Sequence, residues 1–271
     1  MHIELQDSTF KQLRDFIYEK TGIYISDAKK YFLENRLVRR IQERNLSGFD
    51  DYLYLIQYNG GGGELARLYD AVTTNETFFF REPQQFGVFA DSIVSEILKE
   101  RGAQGMRLWS AACSTGEEPY TISMLLMEKK MVVRTEMIAS DISDAALESA
   151  KRAVYSSYAV RNVPELYLRK YFKANGQAYE LESSVRDSVK FMNINLTDEK
   201  KVKCLRDLDA IFCRNVLIYF DKKAKQRVLS LLYDSLRPGG FLFIGSSESL
   251  HNLTRAFKPA IINGVVVYQR S

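Results

Sequence analysis

The chain has 271 residues, 38 of them basic and 34 acidic, with a formal net charge of +4. That length holds one large domain or a domain with a small companion, and such balanced charge gives no argument for nucleic acid as a partner. The start of the chain lacks the apolar stretch of a signal peptide, and no run is long enough to span a membrane. Three cysteines without CxxC spacing and two histidines argue against disulfides and a metal site. We expect a cytoplasmic protein with no membrane insertion and no metal.

The first part of the chain predicts helices. Apolar residues recur at helical spacing over residues 3–58, with Thr21-Gly22 ending the first segment and a further helix around Asp51–Tyr58. A glycine-rich break at 59–63 precedes another helical pattern from Glu64 to Val72. We predict a small all-α domain over residues 1–72.

One face of the second predicted helix is basic. Arg36, Arg40 and Arg44 are spaced four residues apart, on the flank of an apolar stripe. Taken alone, this spacing fits an ordinary solvated surface as well as a positive face for an acidic partner.

Residues 73–105 predict a linker that covers a ligand. The stretch TTNETFFFREP combines polar residues, three consecutive phenylalanines and an arginine, a combination that no helical or strand period explains. A domain junction packed over a bound molecule would explain it.

From residue 106 onward strands and helices alternate, which predicts a doubly wound α/β domain over 106–271 with a parallel sheet. We expect strands at 106–112, 136–140, 189–193, 208–213 and 240–245, and helices at 118–130, 143–154 and 222–236. The final FKPAIINGVVVYQR predicts a β-hairpin around Asn263-Gly264. Residues 157–190 are too many for a simple connection, and we expect a small inserted antiparallel β subdomain there, with 177–182 pairing with 184–190.

The most informative motif is the strand and turn MRLWSAACSTGEEPY, followed by a second strand ending on Asp141. A small-residue turn before a helix, with an acid at the tip of the next strand, is typical of a ribose-binding site. A dinucleotide would place its pyrophosphate at this helix N-terminus, where Glu117 and Glu118 would repel it. S-Adenosylmethionine (SAM) has a ribose and a cationic end but no phosphate, so we predict SAM as the cofactor. The alternative is that both glutamates only complement the helix dipole.

A second group of polar residues follows the strand at 208–213. Arg214 and Asn215 lie at its carboxyl end, the edge where doubly wound folds place their sites, and Tyr219 follows within a loop's length. On spacing alone Tyr219 could equally be an ordinary half-buried tyrosine.

Taken together, the segments TTNETFFFRE, WSAACSTGEEPY, ASDIS, NINL, FCRNVLIYFD and LRPGGFLFIGSSESL resemble the bacterial chemotaxis receptor methyltransferases, the CheR family. The resemblance extends from the helical domain to the last strand. It implies the SAM-dependent methyltransferase fold and transfer of a methyl group from SAM to glutamates of chemoreceptor cytoplasmic helices, giving glutamyl methyl esters.

The resemblance also implies residue roles. Arg81 and Tyr219 would act at the reacting groups, and Glu118 stays an alternative to Glu117 as a cofactor ligand. The cofactor contacts would be Asn75, Thr77, Arg81, Glu117, Asp141, Asn195, Leu196, Arg214 and Asn215. A glutamate-rich receptor helix favours the second interpretation of the basic face, so we predict that Arg36, Arg40 and Arg44 bind substrate.

Three other functions are compatible with parts of the sequence. An amine or nucleic-acid methyltransferase shares the fold, but base methylation commonly uses an Asn/Asp-Pro-Pro-Tyr/Phe loop, and this chain has NVLIY there. A cofactor-binding regulator that has lost transfer activity is disfavoured by the intact set Arg81, Asp141, Arg214, Asn215 and Tyr219. A nicotinamide dehydrogenase conflicts with the two glutamates. We expect a monomer whose partners are chemoreceptor helices and not nucleic acid.

Overall fold

The architecture was determined from a computed structural model, which describes residues 3–58, 63–130 and 135–271. It divides into two compact units. The helical unit comprises residues 1–74 together with 219–224, and the α/β unit comprises 75–218 and 225–271. No helix in the described ranges is long and apolar enough to cross a membrane.

The helical unit contains four α-helices, α1 (Asp7–Thr21), α2 (Lys30–Glu43), α3 (Phe49–Tyr58) and α4 (Glu64–Val72), and a 3₁₀ turn at Asp27–Lys29. Gly22 ends α1 in the left-handed conformation with φ 75°, as the sequence predicts. The buried faces of the four helices form their own core, in which Leu13, Leu33 and Leu37 are fully buried. Residues 3–58 thus contain three α-helices, as the sequence predicts, with the third at Phe49–Tyr58. Of the predicted glycine-rich break, residues 59–62 lie outside the described ranges.

The α/β unit is built on a seven-stranded sheet, in which β1 (Met106–Ala111) lies between β2 (Thr135–Asp141) and β7 (Leu208–Phe212). These three strands and their neighbours β6 (Val189–Asn193) and β8 (Leu236–Phe243) are parallel. Two antiparallel strands, β9 (Phe257–Ile262) and β10 (Val265–Arg270), complete the order β6-β2-β1-β7-β8-β10-β9. The predicted doubly wound fold with its C-terminal hairpin is confirmed, and Asn263 and Gly264 form the turn with positive φ.

Helices α7 (Glu117–Glu128), α8 (Asp144–Arg152) and α13 (Lys222–Ser235) lie between strands of this sheet. Helices α5 (Pro83–Val88) and α6 (Val94–Arg101) precede β1, with a π-helical turn at Phe89–Ile93 between them, and 3₁₀ turns lie at Gly102–Gln104 and Leu217–Tyr219. Strand β8 begins at Leu236, earlier than predicted, because Pro238-Gly239 is accommodated as an irregularity in its pairing with β7 instead of a turn before the strand.

The inserted sheet has three short antiparallel strands, β3 (Val154–Ser156), β4 (Phe172–Asn175) and β5 (Ala178–Leu181), in the order β3-β5-β4. Short helices accompany them at Ser157–Val160, Glu165–Tyr171 and Ser183–Arg186 (α9, α10 and α11), and α12 (Glu199–Val202) follows β6. The predicted pairing of 177–182 with 184–190 is wrong. The turn at Gly176, with φ 61°, instead joins β5 to β4, while 189–193 belongs to the main sheet.

Candidate cofactor site at the carboxyl edge of the sheet

The turn between β1 and α7 brings the backbone close to the carboxyl edge of the central strands. Ala112, Ser114 and Gly116 all have positive φ, and the φ of Gly116 is 94°. A Cβ at Gly116 would lie 2.9 Å from the Cβ of Ala150, so only glycine fits beside α8. The turn therefore packs tightly against α8 and places the N-terminus of α7, whose first N–H groups have no acceptor within the helix, at the carboxyl edge of the sheet.

Glu117 and Glu118 both begin α7, but their carboxylates have different partners. Glu118 accepts hydrogen bonds from the Ser110 hydroxyl at 2.7 Å and from the Arg214 guanidinium at 2.9 Å. Glu117 is 3% exposed and accepts a hydrogen bond from the Thr115 hydroxyl at 2.7 Å. Within the described ranges no cation pairs with Glu117, and burial raises its pKa to about 7. Of the two carboxylates, Glu117 is thus the one available to a cationic ligand.

Asp141 ends β2 beside this turn. Its carboxylate is 5% exposed and accepts the backbone N–H groups of Ser114 and Ser143, each at 2.9 Å. These bonds fix the carboxylate at the tip of β2 and tie it to the β1–α7 turn. An acid at this place, the tip of the strand after the turn, is the one that meets ribose hydroxyls in doubly wound folds.

Residues 75–82 run past the same turn. The backbone carbonyl of Asn75 accepts a hydrogen bond from the Ser114 hydroxyl at 3.1 Å, and the Phe80 N–H donates to the Thr121 hydroxyl at 3.2 Å. Thr77 is half-buried in this segment. Phe79 is fully buried, with its ring against the rings of the inserted subdomain. The aromatic run therefore anchors the segment beside the β1–α7 turn, and its covering of a ligand stays a prediction.

Arg81 lies at the end of this segment with its guanidinium accessible. It donates to the Glu76 backbone carbonyl at 3.2 Å and lies 5.8 Å from the centre of the Phe78 ring. No carboxylate of the described residues forms an ion pair with it, which leaves its charge available to a substrate or cofactor.

Arg214, by contrast, is used inside the protein. Its side chain is only 2% exposed, and it donates to the carboxylates of Glu118 and Glu82 and, at 2.6 Å, to the backbone carbonyl of Arg81. It also stacks over the Phe86 ring at 4.8 Å. This side chain links the segment that carries Arg81 to the start of α7. Its contact with a cofactor stays a prediction, and the structure supports a positioning role.

Glu82 is a participant that sequence reasoning missed. Its carboxylate accepts hydrogen bonds from Arg214 and from both the N–H and the hydroxyl of Ser246. Burial acts to raise the pKa of Glu82, but Arg214 and Ser246 together hold that pKa below its ordinary value. The only signal in the sequence was its position beside Arg81 in the FFFRE stretch.

The other predicted cofactor residues follow β6 and β7. Asn195 lies after β6, where its side-chain carbonyl accepts from Thr197, and Leu196 beside it is buried. Asn215 follows β7 with φ 57° and donates its N–H to Glu248 at 2.8 Å. Because β2, β6 and β7 are parallel to β1, these residues meet the β1–α7 turn at the same edge of the sheet.

Tyr219 belongs to the helical unit, not to the α/β unit. Its backbone carbonyl accepts from the Tyr24 N–H at 2.8 Å, and the adjacent Phe220 forms a β-bridge with Ile23. Its side chain is half-buried, and its hydroxyl makes no hydrogen bond to the described part of the chain. Both interpretations of this tyrosine, reactive and structural, stay open on this geometry.

The basic face of α2 is partly neutralised. Arg40 donates to Glu64 at 2.9 and 2.7 Å, Arg44 donates to Glu64 at 2.6 Å, and Arg36 donates to two backbone carbonyls at the end of α4. Burial acts to raise the pKa of Glu64, but the two arginines hold it below its ordinary value. These arginines join α2 to α4, so substrate binding by them stays a prediction and is weakest for Arg40, which is 17% exposed.

The side chains at the carboxyl edge fit SAM. The buried Glu117 carboxylate lacks a cationic partner among the described residues, and the Asp141 carboxylate is fixed at the tip of β2 beside the β1–α7 turn, the position from which an acid meets ribose hydroxyls in doubly wound folds. In the described ranges no group of three or more His, Cys, Asp or Glu side chains is arranged to hold a metal ion.

Comparison with known proteins agrees with this geometry. Residues 75–264 match the CheR methyltransferase SAM-binding domain, and residues 8–73 match the CheR methyltransferase all-alpha domain. The chain is 38% identical over 260 residues to chemotaxis protein methyltransferase 2 of Vibrio cholerae, covering 94% of this chain and 90% of that protein.

Two further relatives are similar over most of their length. Chemotaxis protein methyltransferase of Escherichia coli is 36% identical over 275 residues, covering 99% of this chain and 93% of that protein. Chemotaxis protein methyltransferase Cher2 of Pseudomonas putida is 32% identical over 268 residues, covering 96% and 97%. The chain belongs to the CheR family of SAM-dependent methyltransferases.

Proposed function

We propose that this enzyme transfers the methyl group of SAM to glutamate side chains on the cytoplasmic helices of chemoreceptors and forms glutamyl methyl esters. The observation that carries the proposal is similarity to chemotaxis methyltransferases over nearly the entire chain, in both units. A carboxylate as the acceptor is supported by the accessible guanidinium of Arg81, which can bind an anion but would repel a protonated amine.

The cofactor would be held from both of its ends. Glu117 would pair with the ammonium group, and Asp141 would accept hydrogen bonds from the ribose hydroxyls. Asn75, Thr77 and Arg81 would contact it from the covering segment, and Asn195, Leu196 and Asn215 from the loops after β6 and β7. When bound, SAM supplies a methyl carbon activated by a positively charged sulfur.

The chain's own contribution is then orientation and desolvation. A glutamate carboxylate has a pKa near 4.3 and is already an anionic nucleophile at neutral pH, so a general base is unnecessary. Holding it in line with the methyl carbon can contribute roughly 7–11 kcal/mol through effective molarity. Arg81 would orient the carboxylate, and the free hydroxyl of Tyr219 would act on the reacting group.

Arg214 supports this arrangement from within the protein. Its bond to the Arg81 carbonyl and its ion pairs with Glu82 and Glu118 hold the covering segment against α7. In this proposal Arg81 meets substrate, while Arg214 sets the position from which Arg81 does so.

Tritium transfer from labelled SAM to a chemoreceptor cytoplasmic fragment tests the proposal. We expect label on the receptor that mild base releases as methanol, because an ester hydrolyses under conditions that leave an N-methyl group intact. Label that resists base would show that the acceptor is an amine, and no label on any receptor would reject the chemoreceptor as substrate.

A companion variant tests the role of Tyr219. Tyr219→Phe should lower turnover more than it lowers SAM affinity, because the hydroxyl is assigned to the reacting group and not to the adenosine. Methylation at the parental rate would show that this tyrosine is structural.

A further inference from the structure

The loop after β8 contains a carboxylate that binds three backbone N–H groups. Glu248 Oε2 accepts from the Gly245 N–H at 2.7 Å and from the Asn215 N–H at 2.8 Å. Its other oxygen, Oε1, accepts from the Ile218 N–H at 3.2 Å. One side chain therefore joins the loop after β8 to both ends of the loop after β7.

The surroundings of Glu248 permit little variation. A Cβ at Gly245 would lie 2.6 Å from Asn215 Nδ2 and 2.9 Å from Glu248 Oε2, so a larger residue here would displace one of these side chains. Asn215 has a left-handed backbone with φ 57°, a conformation that asparagine tolerates but that the surrounding structure must maintain. The bond from its N–H to Glu248 is suited to maintain it.

The bonds of Glu248 lie next to residues with proposed functional roles. Asn215 is a proposed cofactor ligand, and Ile218 directly precedes Tyr219 in the chain. Gly245 and Asn215 lie outside the helices and strands, and Ile218 lies in the 3₁₀ turn Leu217–Tyr219, which is too short to supply an acceptor for its N–H.

We propose that Glu248 is a positioning residue for methyl transfer: its Oε2 fixes Asn215 for the cofactor, and its Oε1 fixes the backbone that leads to Tyr219. The proposal rests on the proposed function and extends it to a residue outside the predicted site. Glu248 would not touch substrate or cofactor.

Two substitutions separate the two halves of this role. In Glu248→Gln the amide oxygen can replace Oε2 and keep the bonds to Gly245 and Asn215. The amide NH₂ group then faces the Ile218 N–H, a donor against a donor, so that one bond is lost. Glu248→Ala removes all three bonds.

We expect Glu248→Gln to bind S-adenosylhomocysteine within about threefold of the parent while its kcat for receptor methylation falls about tenfold or more. Glu248→Ala should lose about tenfold in affinity for S-adenosylhomocysteine as well as turnover. Glu148→Gln is the matched control, since its carboxylate is 62% exposed and pairs with Lys151 on α8, and both quantities should stay at the parental value.

Calorimetry, steady-state kinetics and a thermal melt on each protein decide the outcome. A Glu248→Gln variant with parental kcat would overturn the proposal. The proposal would also be overturned if both variants lost affinity and turnover equally and in proportion to their loss of folded protein, because a purely structural residue behaves in that way. If the parent methylates no receptor, the proposed function fails, whereas the affinities of the two variants still test the placement of Asn215.

Discussion

Replacing Glu117 by glutamine should make the protein more stable and a poorer binder of SAM. Burial raises the pKa of Glu117 from 4.5 to about 7, a difference of about 2.5 pKa units. At about 1.36 kcal/mol per unit, the charged carboxylate costs the folded state roughly 3 kcal/mol above pH 7. Glutamine is neutral and can still accept the hydrogen bond from the Thr115 hydroxyl, so the Glu117→Gln variant avoids most of this cost.

The stability of the parent should depend on pH because Glu117 binds its proton more tightly in the folded state. Between pH 4.5 and 7 the folded parent keeps a proton on Glu117 that the unfolded chain releases, so its stability falls as the pH rises through this window. The melting temperatures of parent and Glu117→Gln should therefore agree at a pH of about 4 and separate by several degrees at a pH of about 8, with the variant higher. A variant that is less stable at pH 8 would refute the reasoning.

Binding of the cofactor product should change the protonation of Glu117. An ammonium group favours the charged carboxylate, so binding of S-adenosylhomocysteine at pH 7 should release about half a proton from the parent. Calorimetry in two buffers of different ionisation enthalpy measures this release, which should vanish in Glu117→Gln together with about tenfold or more of the affinity. Equal proton release by both proteins would assign the cation to another carboxylate.

Three other substitutions have defined outcomes. Asp141→Ala should weaken SAM binding at least about tenfold in calorimetry through loss of the ribose hydrogen bonds, and unchanged affinity would remove Asp141 from the site. Gly245→Ala should reduce SAM affinity and turnover about tenfold because its Cβ would collide with the Asn215 side chain, whereas Gly87→Ala, whose Cβ meets nothing within 4 Å, should not. Glu64→Gln should cost roughly 2–3 kcal/mol in a thermal melt at pH 7 by breaking a buried ion pair with Arg40, with SAM affinity unchanged. Since the pKa of Glu64 is lowered on folding, this loss should shrink as the pH falls below 4.5.

The sheet and the turn at its carboxyl edge were predictable because short-range patterns determine them. A few neighbouring residues determine the apolar strands, the small-residue turn before Glu117 and the hairpin turn at Asn263-Gly264. The strands of the sheet begin and end within about one residue of their predicted ends, except β8. The inserted subdomain was predicted only in outline. Its strand pairing depends on which of several short segments pair with the main sheet instead. Val189–Asn193 pairs with β2 there and forms β6.

Side-chain pairing was beyond what the sequence predicts. Three arginines at helical spacing suggest a free basic face, yet Glu64, twenty residues beyond Arg44, pairs with two of them. The position of Arg214 after β7 suggests a cofactor ligand, yet its buried side chain pairs with Glu82 and Glu118, which lie far from it in the sequence. Glu248 carries no pattern of its own, because its three partners are backbone N–H groups that any sequence possesses.

The central claim is that this enzyme esterifies glutamate side chains, and the most direct measurement is mass spectrometry of a chemoreceptor fragment after incubation with SAM. The parent should add one methyl group to each modified site, with fragmentation assigning it to a glutamate. The same receptor with that glutamate replaced by alanine should stay unmodified at the position, and the Tyr219→Phe enzyme should give much less product in the same time. The account would be contradicted by a methyl group on lysine, on arginine or on the N-terminal amine. It would also be contradicted if the substituted receptor were modified equally at that position.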